Sequence, residues 1–169
     1  MMTACNAEKE ATPEASPDAP ARREAPAESR PVAEPQATAP SNGFGEAIAW
    51  RGLEEGLKEA AAEGKGMMLL VHASWCSKCK QLKPSFSEPS LVAASRDLVM
   101  VNVDQDQVPQ SMTYAPDGTY IPRVLFIGPD GEVVSELKNG RRPRFHYFYT
   151  PADDLVGMMK EAASRYGRT

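Results

Sequence analysis

Long apolar runs are absent from this sequence of 169 residues. No stretch approaches the roughly 18 consecutive apolar residues that mark a membrane-spanning helix. Positive charge is not in excess either, because the formal net charge is −4 and no basic stripe offsets it. We therefore do not expect a nucleic-acid-binding surface as the main function of the chain. The one dense basic run, Arg141, Arg142 and Arg144, is interpreted as a solvated loop.

Large apolar side chains are missing from the first 43 residues, which contain no Leu, Ile, Phe, Trp or Tyr but hold seven of the 15 prolines. Ordering a residue costs roughly 1 to 2 kcal/mol of backbone entropy, and such a segment has nothing to bury in return. The composition therefore predicts a disordered Pro/Ala/Glu-rich tether over residues 1–43 and one folded domain over residues 44–169.

Cysteine is scarce: the chain has three, and Cys5 stands alone in the predicted tether. The run Met2-Thr3-Ala4-Cys5 resembles the end of a bacterial lipoprotein signal, in which small residues precede the cysteine that receives the lipid. However, a complete signal also has a basic start and an apolar stretch of roughly 7 to 15 residues. Two interpretations stay open. Either Cys5 is lipidated and attaches the domain to a membrane through the tether, or it is an ordinary tail residue.

The folded part shows alternating strand and helix patterns. The run from Met67 to Val71 is apolar throughout, which is typical of a strand buried on both faces. For the last helix, Thr150 is the expected N-cap, Pro151 the first helical residue, and Leu155, Met159 and Ala162 the inner stripe. The predicted elements are a strand at 48–50, a helix from Leu53 to Gly64, a strand at 67–71, a helix after the next two cysteines interrupted at Pro84, a strand at 98–103, a hairpin of 124–127 with 132–136, and the final helix. This order predicts an α/β fold with a central mixed sheet flanked by helices.

Cys76 and Cys79 are separated by two residues and follow the apolar strand. At the first turn of a helix the two thiols can close a disulfide, and the unpaired backbone amides there stabilise a thiolate. Free cysteine has a pKa of ~8.5, and the first thiol of such a motif is commonly lowered to ~7 or below. We expect Cys76 to attack and Cys79 to resolve the mixed disulfide. A zinc site and inert core thiols are the alternatives, although zinc has only Cys5, His72 and His146 as further ligands.

The surroundings of this pair resemble the thioredoxin superfamily. Trp75 stands before the first cysteine, Lys80 follows the second, and Pro84 occupies the position where the active-site helix of that family is kinked. Downstream, Ile121 and Pro122 precede a strand, where the family places a cis proline that faces the disulfide. The resemblance implies a thioredoxin fold with Ile121 and Pro122 at the client-binding side of the site.

A closer resemblance is to the small single-domain anterior gradient group of the endoplasmic reticulum, over roughly residues 48 to 165. Members with both cysteines are thiol-disulfide oxidoreductases of secretory clients. Those relatives end in a retention signal, and this chain ends without one. With the lipoprotein-like start, this predicts a bacterial relative in the cell envelope or periplasm. The resemblance is carried by Ile48-Ala49-Trp50-Arg51, Leu82-Lys83-Pro84, Val99-Met100-Val101-Asn102, Ala115-Pro116-Asp117-Gly118, Tyr120-Ile121-Pro122-Arg123 and the segment 138–149.

One departure from the wider family concerns proton transfer. Thioredoxins carry a buried carboxylate six residues before the first cysteine, and here that position is Leu70. His72 is the nearest titratable side chain, either a packed histidine or a proton carrier. Lys78 is expected to stabilise the reduced form, or else to point into solvent with little effect. Trp75 and Pro122 are expected to form the rim on which a client rests.

These observations predict a thiol-disulfide oxidoreductase that exchanges disulfides with exported proteins through Cys76 and Cys79. No cofactor and no metal are expected. The expected partners are thiol- or disulfide-containing client proteins and a redox partner protein, without nucleic acid, and the chain is expected to be a monomer. The alternative function is a copper-binding chaperone module in which the two thiols hold a soft metal. The direction of electron flow is left open.

Overall fold

The computed structural model describes residues 34 to 166, which form one mixed sheet with helices on both faces. Four strands lie in the order β1-β3-β2-β4. Among the described residues, no helix combines the length and apolarity needed to cross a bilayer. The elements are β1 (Trp50–Arg51), α1 (Leu53–Glu63), β2 (Met67–His72), α2 (Ser77–Leu82), α3 (Pro89–Ser95), β3 (Val99–Asp104), β4 (Arg123–Ile127) and α4 (Leu155–Tyr166), with short 3-10 helices at Lys83–Ser87 and Pro109–Thr113.

The central strand β2 is buried along its whole length, as its continuous apolar run predicts. It pairs in parallel with β3 and antiparallel with β4. Alternate side chains of β2 enter two separate cores, because successive residues of a strand point to opposite faces. Met68 and Leu70 belong to the core under α3 and α4, whereas Met67, Leu69 and Val71 belong to the core under α1.

Helix α1 ends as expected at Gly64, which has a φ of 64° and donates its backbone N–H to the carbonyl of Ala60. Left-handed backbone of this kind favours glycine at a helix end. The segment after the cysteine pair is interrupted at Pro84, as predicted, but it also breaks a second time. Pro89 begins α3, so the expected single helix is two helices joined by a 3-10 turn.

The predicted hairpin of 124–127 with 132–136 is wrong in its second strand. Only one isolated bridge forms, between Ile127 and Val133. The chain then turns, since Leu137 donates its N–H to the carbonyl of Val134 at 3.0 Å. Burial explains the turn: Leu137 is fully buried in the core under α3 and α4, a position that a strand continuing along β4 does not give it.

The last helix begins at Leu155, four residues later than predicted. Thr150 is therefore not its N-cap. The carboxylate of Asp153 accepts both the backbone N–H and the hydroxyl of Thr150, which holds residues 150–153 in a turn. Asp154 then accepts the N–H of Gly157 at 2.8 Å and occupies the capping place. The inner stripe of Leu155, Met159 and Ala162 is buried as predicted.

The compact unit extends to Glu34, ten residues before the predicted start of the domain. The N–H of Thr38 donates to the carbonyl of Trp50 at 2.9 Å. The carbonyl of Gln36 accepts from the guanidinium of Arg51 at 2.6 Å, and Asn42 donates to the side chain of Asn102. These bonds join residues 36–42 to the domain. Cys5 and the rest of residues 1–33 lie outside the described part.

Candidate active site

A disulfide joins Cys76 and Cys79 at the edge of the sheet where β2 ends. The Cα atoms of the two cysteines are 5.3 Å apart, a separation that a disulfide spans readily. Because β2 is held on both sides by β3 and β4, its end provides a rigid base for the loop of residues 73–76. The two predicted redox residues are thus brought together.

Cys76 is the N-cap residue of α2, as expected from a strand that leads into a helix. Its sulfur accepts the backbone N–H of Cys79 at 3.1 Å, and its carbonyl accepts the N–H of Lys80. Cys76 keeps 6% of its surface exposed, whereas Cys79 is fully buried. An incoming thiolate can therefore approach only the first sulfur. When the bond is reduced, the same backbone N–H stabilises negative charge on Cys76.

Trp75 projects into solvent beside the disulfide and is 64% exposed. Its indole N–H donates to a carboxylate oxygen of Asp106 at 2.7 Å, which fixes the orientation of an otherwise free ring. Lys78 is also exposed, and its ammonium lies 3.4 Å from the side-chain oxygen of Gln81. Both side chains are therefore exposed within two residues of Cys76.

Two aspartates at the end of β3, Asp104 within the strand and Asp106 just after it, support the site, although sequence reasoning did not select them. Asp104 is buried and accepts the backbone N–H of Ser74 at 3.0 Å, so its carboxylate holds the loop that leads to Cys76. Its other oxygen accepts the N–H of Asp106, the residue that binds Trp75. A signal was available: the parallel strands β2 and β3 end at the same edge of a sheet, so polar residues at the end of β3 lie near the cysteines.

Ile121 and Pro122 lie at the same sheet edge, because Arg123, the first residue of β4, pairs with Val71 near the end of β2. The peptide bond between Ile121 and Pro122 is cis. Pro122 is buried and Ile121 is half-buried. Of the expected client-contacting rim, Trp75 is thus the exposed part, and the proline ring is covered.

Arg123 is fully buried, and its guanidinium is bound by backbone carbonyls. Its Nη1 donates to the carbonyl of Tyr120 at 2.6 Å and its Nε to that of Tyr114 at 3.1 Å. Burial lowers the pKa of Arg123, although the nearby Tyr120 and Asp117 oppose that effect. The side chain ties the loop before Pro122 to the start of β4, a role for which the sequence offers no local pattern.

His72 is packed at the end of β2 and bonds to neighbours other than the cysteines. Its Nε2 lies 3.4 Å from the side-chain oxygen of Asn102, and its ring is 4.8 Å from that of Phe44. Burial lowers the pKa of His72, and hydrogen bonding to Asn102 and the charge of Asp104 oppose the effect. Leu70, at the position of the carboxylate in the wider family, is fully buried and apolar. Within residues 34–166, no group of three or more His, Cys, Asp or Glu side chains is arranged to hold a metal ion.

Comparison with known proteins agrees with this site. A thioredoxin-like family model matches residues 49–129. Mouse anterior gradient protein 3 is 34% identical over 127 residues, which cover 72% of this chain and 75% of that protein. The chain belongs to the anterior gradient group of thioredoxin-like proteins. Another relative in the group, anterior gradient protein 1 of Xenopus tropicalis, is 37% identical over 127 residues, covering 72% of this chain and 66% of that one.

Solved structures show the same fold. A thioredoxin from Thermus thermophilus superposes with a TM-score of 0.54 at 21% identity, covering 72% of this chain and 91% of that one. The DsbH oxidoreductase superposes with a TM-score of 0.51 at 21% identity, covering 76% of this chain and 92% of that one. The thioredoxin fold predicted from the sequence is confirmed, and so is the resemblance to the anterior gradient group.

Proposed function

We propose that this protein is a thiol-disulfide oxidoreductase whose reacting group is the disulfide between Cys76 and Cys79. The observation that carries the proposal is the asymmetry of the two sulfurs. Cys76 is the accessible one and receives a backbone N–H, while Cys79 is enclosed. This is the arrangement that lets one sulfur exchange with a client and the other resolve the intermediate. Membership of the thioredoxin-like family supports the same chemistry.

In the oxidising direction, a client thiolate attacks the sulfur of Cys76. The new bond joins the client sulfur to Cys76, while the bond to Cys79 breaks and Cys79 leaves with the electron pair and takes a proton from water. A second client thiolate then attacks the first client sulfur and releases Cys76 as a thiolate. Two electrons pass from the client to the protein. In the reducing direction, Cys76 attacks a client disulfide and Cys79 resolves it, so no cofactor enters either sequence.

The direction depends on the reduction potential, which is the first quantity to measure. The full chain carrying Cys5→Ser is equilibrated with graded glutathione buffers, and the thiols are trapped and counted. A value near ~−120 to −180 mV indicates an oxidant or isomerase, and one near ~−270 mV a reductant. Absence of a reversible couple contradicts the proposal. Stoichiometric Cu(I) binding in such a protein would then favour the copper-binding alternative.

The two cysteines are expected to differ when each is replaced. Cys76→Ser should abolish exchange with client disulfides, because it removes the accessible sulfur. Cys79→Ser should still attack through Cys76 but stop at a mixed disulfide, which non-reducing electrophoresis detects. Mixed disulfides that accumulate instead in Cys76→Ser would contradict the assigned roles.

We further propose that Trp75 and Ile121 contact the client and that Lys78 raises the reduction potential by stabilising the Cys76 thiolate. Lys78→Gln should lower the potential by less than about 30 mV, since 30 mV corresponds to about 1.4 kcal/mol and the side chain is exposed. Lys80→Gln is the matched control. An equal shift in both variants would show a general effect of charge instead.

The proposed location is the bacterial envelope or periplasm, with a lipid on Cys5 and thiol-containing exported proteins as clients. An oxidising compartment suits a disulfide exchanger, and this is the support for the location. Mass spectrometry of the protein from its native cells tests the attachment. An unmodified Cys5 in the membrane-associated fraction would contradict it.

A further inference from the structure

A groove of about 620 Å³ lies beside the loop that leads to Pro122. We call it the aromatic groove; its lining residues are Tyr120, Arg142, Pro143, Arg144, Phe145 and Phe148. Tyr120 stands two residues before Pro122, and the start of β4 pairs with the end of β2 that leads to Cys76. Tyr120, at one side of the groove, therefore lies toward the same end of the sheet as the disulfide.

Phe145 gives the groove an exposed aromatic ring, and neither its exposure nor its backbone conformation stabilises the fold. The residue is 52% exposed, and its φ of 58° is in the left-handed region. A residue other than glycine pays roughly 1 to 2 kcal/mol for that backbone. Its ring lies 4.7 Å from that of Tyr120 in an edge-on arrangement. Among the described residues, only Trp75 and Phe145 are largely exposed aromatics, and Trp75 stands beside the disulfide.

The floor of the groove is fixed before any partner binds. The hydroxyl of Tyr120 donates to Asp117 at 2.5 Å and accepts the N–H of Tyr147 at 3.0 Å. The other oxygen of Asp117 accepts the N–H of His146, so this carboxylate is already occupied. A preorganised aromatic surface binds with less loss of conformational entropy than a flexible one.

The groove is lined by two arginines, and only one of them forms an ion pair within the part of the chain that the structure describes. Arg142 pairs with Asp153 at 2.6 Å and stands over the ring of Phe148 at 5.4 Å. Arg144 is exposed and makes no ion pair with any residue of the part that the structure describes. The six lining residues include no carboxylate. An acidic group of a partner therefore has one unpaired cation to bind, while the nearby carboxylates of Asp117 and Asp153 already accept hydrogen bonds from the protein.

We propose that the aromatic groove is a client subsite for an extended polypeptide segment in which one residue separates an apolar or aromatic side chain from an acidic one, so that both point to the same face. The apolar side chain contacts Tyr120 and Phe145, and the acidic residue pairs with Arg144. This inference rests on the proposed function, because it assigns a substrate class to the same disulfide. The groove is concave and of a size that suits one peptide segment.

The test uses the full chain in its disulfide form and a fluorescein-labelled peptide without cysteine. The peptide carries a glutamate and a phenylalanine separated by one serine, and fluorescence anisotropy measures its binding. Two matched peptides replace the glutamate by glutamine or the phenylalanine by serine. We expect saturable binding that is weaker for each matched peptide, and the glutamine peptide should lose most of the salt dependence.

Substitutions in the groove should weaken the binding of the labelled peptide. Phe145→Gly removes the ring and suits the left-handed backbone, so the fold is kept, and binding should weaken about tenfold. Arg144→Gln should weaken it about threefold and only for the glutamate peptide. Met112→Ala and Arg96→Gln remove an exposed apolar side chain and an exposed arginine outside the groove, and should leave the affinity unchanged. Equal affinities in the groove variants and the controls would overturn the proposal.

Exchange with oxidised glutathione is measured alongside, because it needs the cysteines but not the groove. Normal exchange without peptide selectivity overturns the subsite and leaves the proposed function standing. Absent exchange with selective peptide binding overturns the proposed function instead. Self-association or binding to anionic vesicles that Phe145→Gly abolishes, without peptide binding, would assign the groove to a second copy or a membrane and overturn the client subsite.

Discussion

Two regions that meet at β4 are held in shape by different interactions. On one side, β2 and β3 are buried apolar strands joined by a backbone ladder from Met67 to His72. On the other side, residues 128–150 form no strand beyond a single bridge, and scattered backbone bonds together with side-chain bonds hold them. Asn139, for example, donates its side-chain amide to the carbonyl of Phe148 at 3.0 Å, and its side-chain oxygen accepts the N–H of Arg141 at 3.1 Å.

This difference shows where the architecture depends on single residues. A ladder of backbone bonds survives exchange of one apolar side chain for another, since the bonds do not involve the side chains. A segment held by side chains loses its bonds with the residue that makes them. The disulfide is supported by the first kind of region, and the aromatic groove by the second.

The largest expected effect tests whether a buried leucine contributes more to the free energy of unfolding in a strand than in the irregular segment of residues 128–150. Leu70 in β2 and Leu137 in the irregular segment are both fully buried in the same core. Leu70→Ala and Leu137→Ala should each lower the free energy of unfolding by about 2 to 5 kcal/mol, since each leaves a cavity. Leu57→Ala, at a partly buried position of α1, is the control and should cost less. A small effect for Leu137 alone, in urea unfolding, would show that the irregular segment relaxes into its cavity.

The second effect concerns the ion pair that joins Arg142, in residues 128–150, to Asp153 just before α4. Burial by itself would raise the pKa of Asp153, but hydrogen bonds from Arg142 and Thr150 outweigh it and lower the pKa to about 2. The carboxylate therefore stabilises the fold above its unfolded pKa of about 3.9, and this contribution is lost as the pH falls through about 2. Asp153→Asn should remove about 2 kcal/mol at about pH 7.

Urea unfolding of this variant at a series of pH values checks the assignment. The wild-type chain should lose stability between about pH 5 and pH 2 more steeply than Asp153→Asn does. Asp97→Asn, at an exposed position outside this turn, is the matched control and should keep the steeper profile. Identical profiles for all three proteins would contradict the role of Asp153.

The contrast between the regions also explains what the sequence could predict. Buried strands such as Met67–His72 and the capped end of α1 at Gly64 follow from local apolar pattern and backbone preference. The cysteine pair was equally readable from its spacing. The second strand of the hairpin was not, because residues 132–136 alternate like a strand while the core contact of Leu137 bends the chain away.

The supporting residues of the site were the hardest to predict, because their partners are remote in sequence. Asp104 binds the backbone of Ser74, thirty positions earlier in the chain. Arg123 binds three backbone carbonyls, those of Ser111, Tyr114 and Tyr120, rather than a carboxylate that a charge pattern would reveal. The start of α4 was misplaced for a related reason: Thr150 and Asp153 both suit a helix start, and they bind each other in a turn before it.

A smaller effect is expected for His72, the buried histidine at the end of β2. Burial lowers the pKa of His72, so the folded state keeps the ring neutral while the unfolded chain takes up a proton at about pH 6.5. The contribution of the neutral His72 ring to stability is therefore fully present above about pH 6.5, and it decreases as the pH drops toward the folded pKa. His72→Gln should flatten this slope in urea unfolding, and His146→Gln, the other histidine of the chain, should not. The same slope in both variants would contradict the assignment.

The smallest expected effect concerns Trp75, the exposed side chain beside the disulfide. Its hydrogen bond to Asp106 is in solvent, so we expect it to contribute about 1 kcal/mol or less. Asp106→Ala should free the indole, which time-resolved fluorescence anisotropy detects as fast local motion of an exposed tryptophan, while the buried Trp50 is unaffected. Asp106→Asn keeps an acceptor oxygen and should retain the slower motion. If the indole moves as slowly in both variants as in the wild-type chain, packing orients the ring of Trp75 and its hydrogen bond to Asp106 does not.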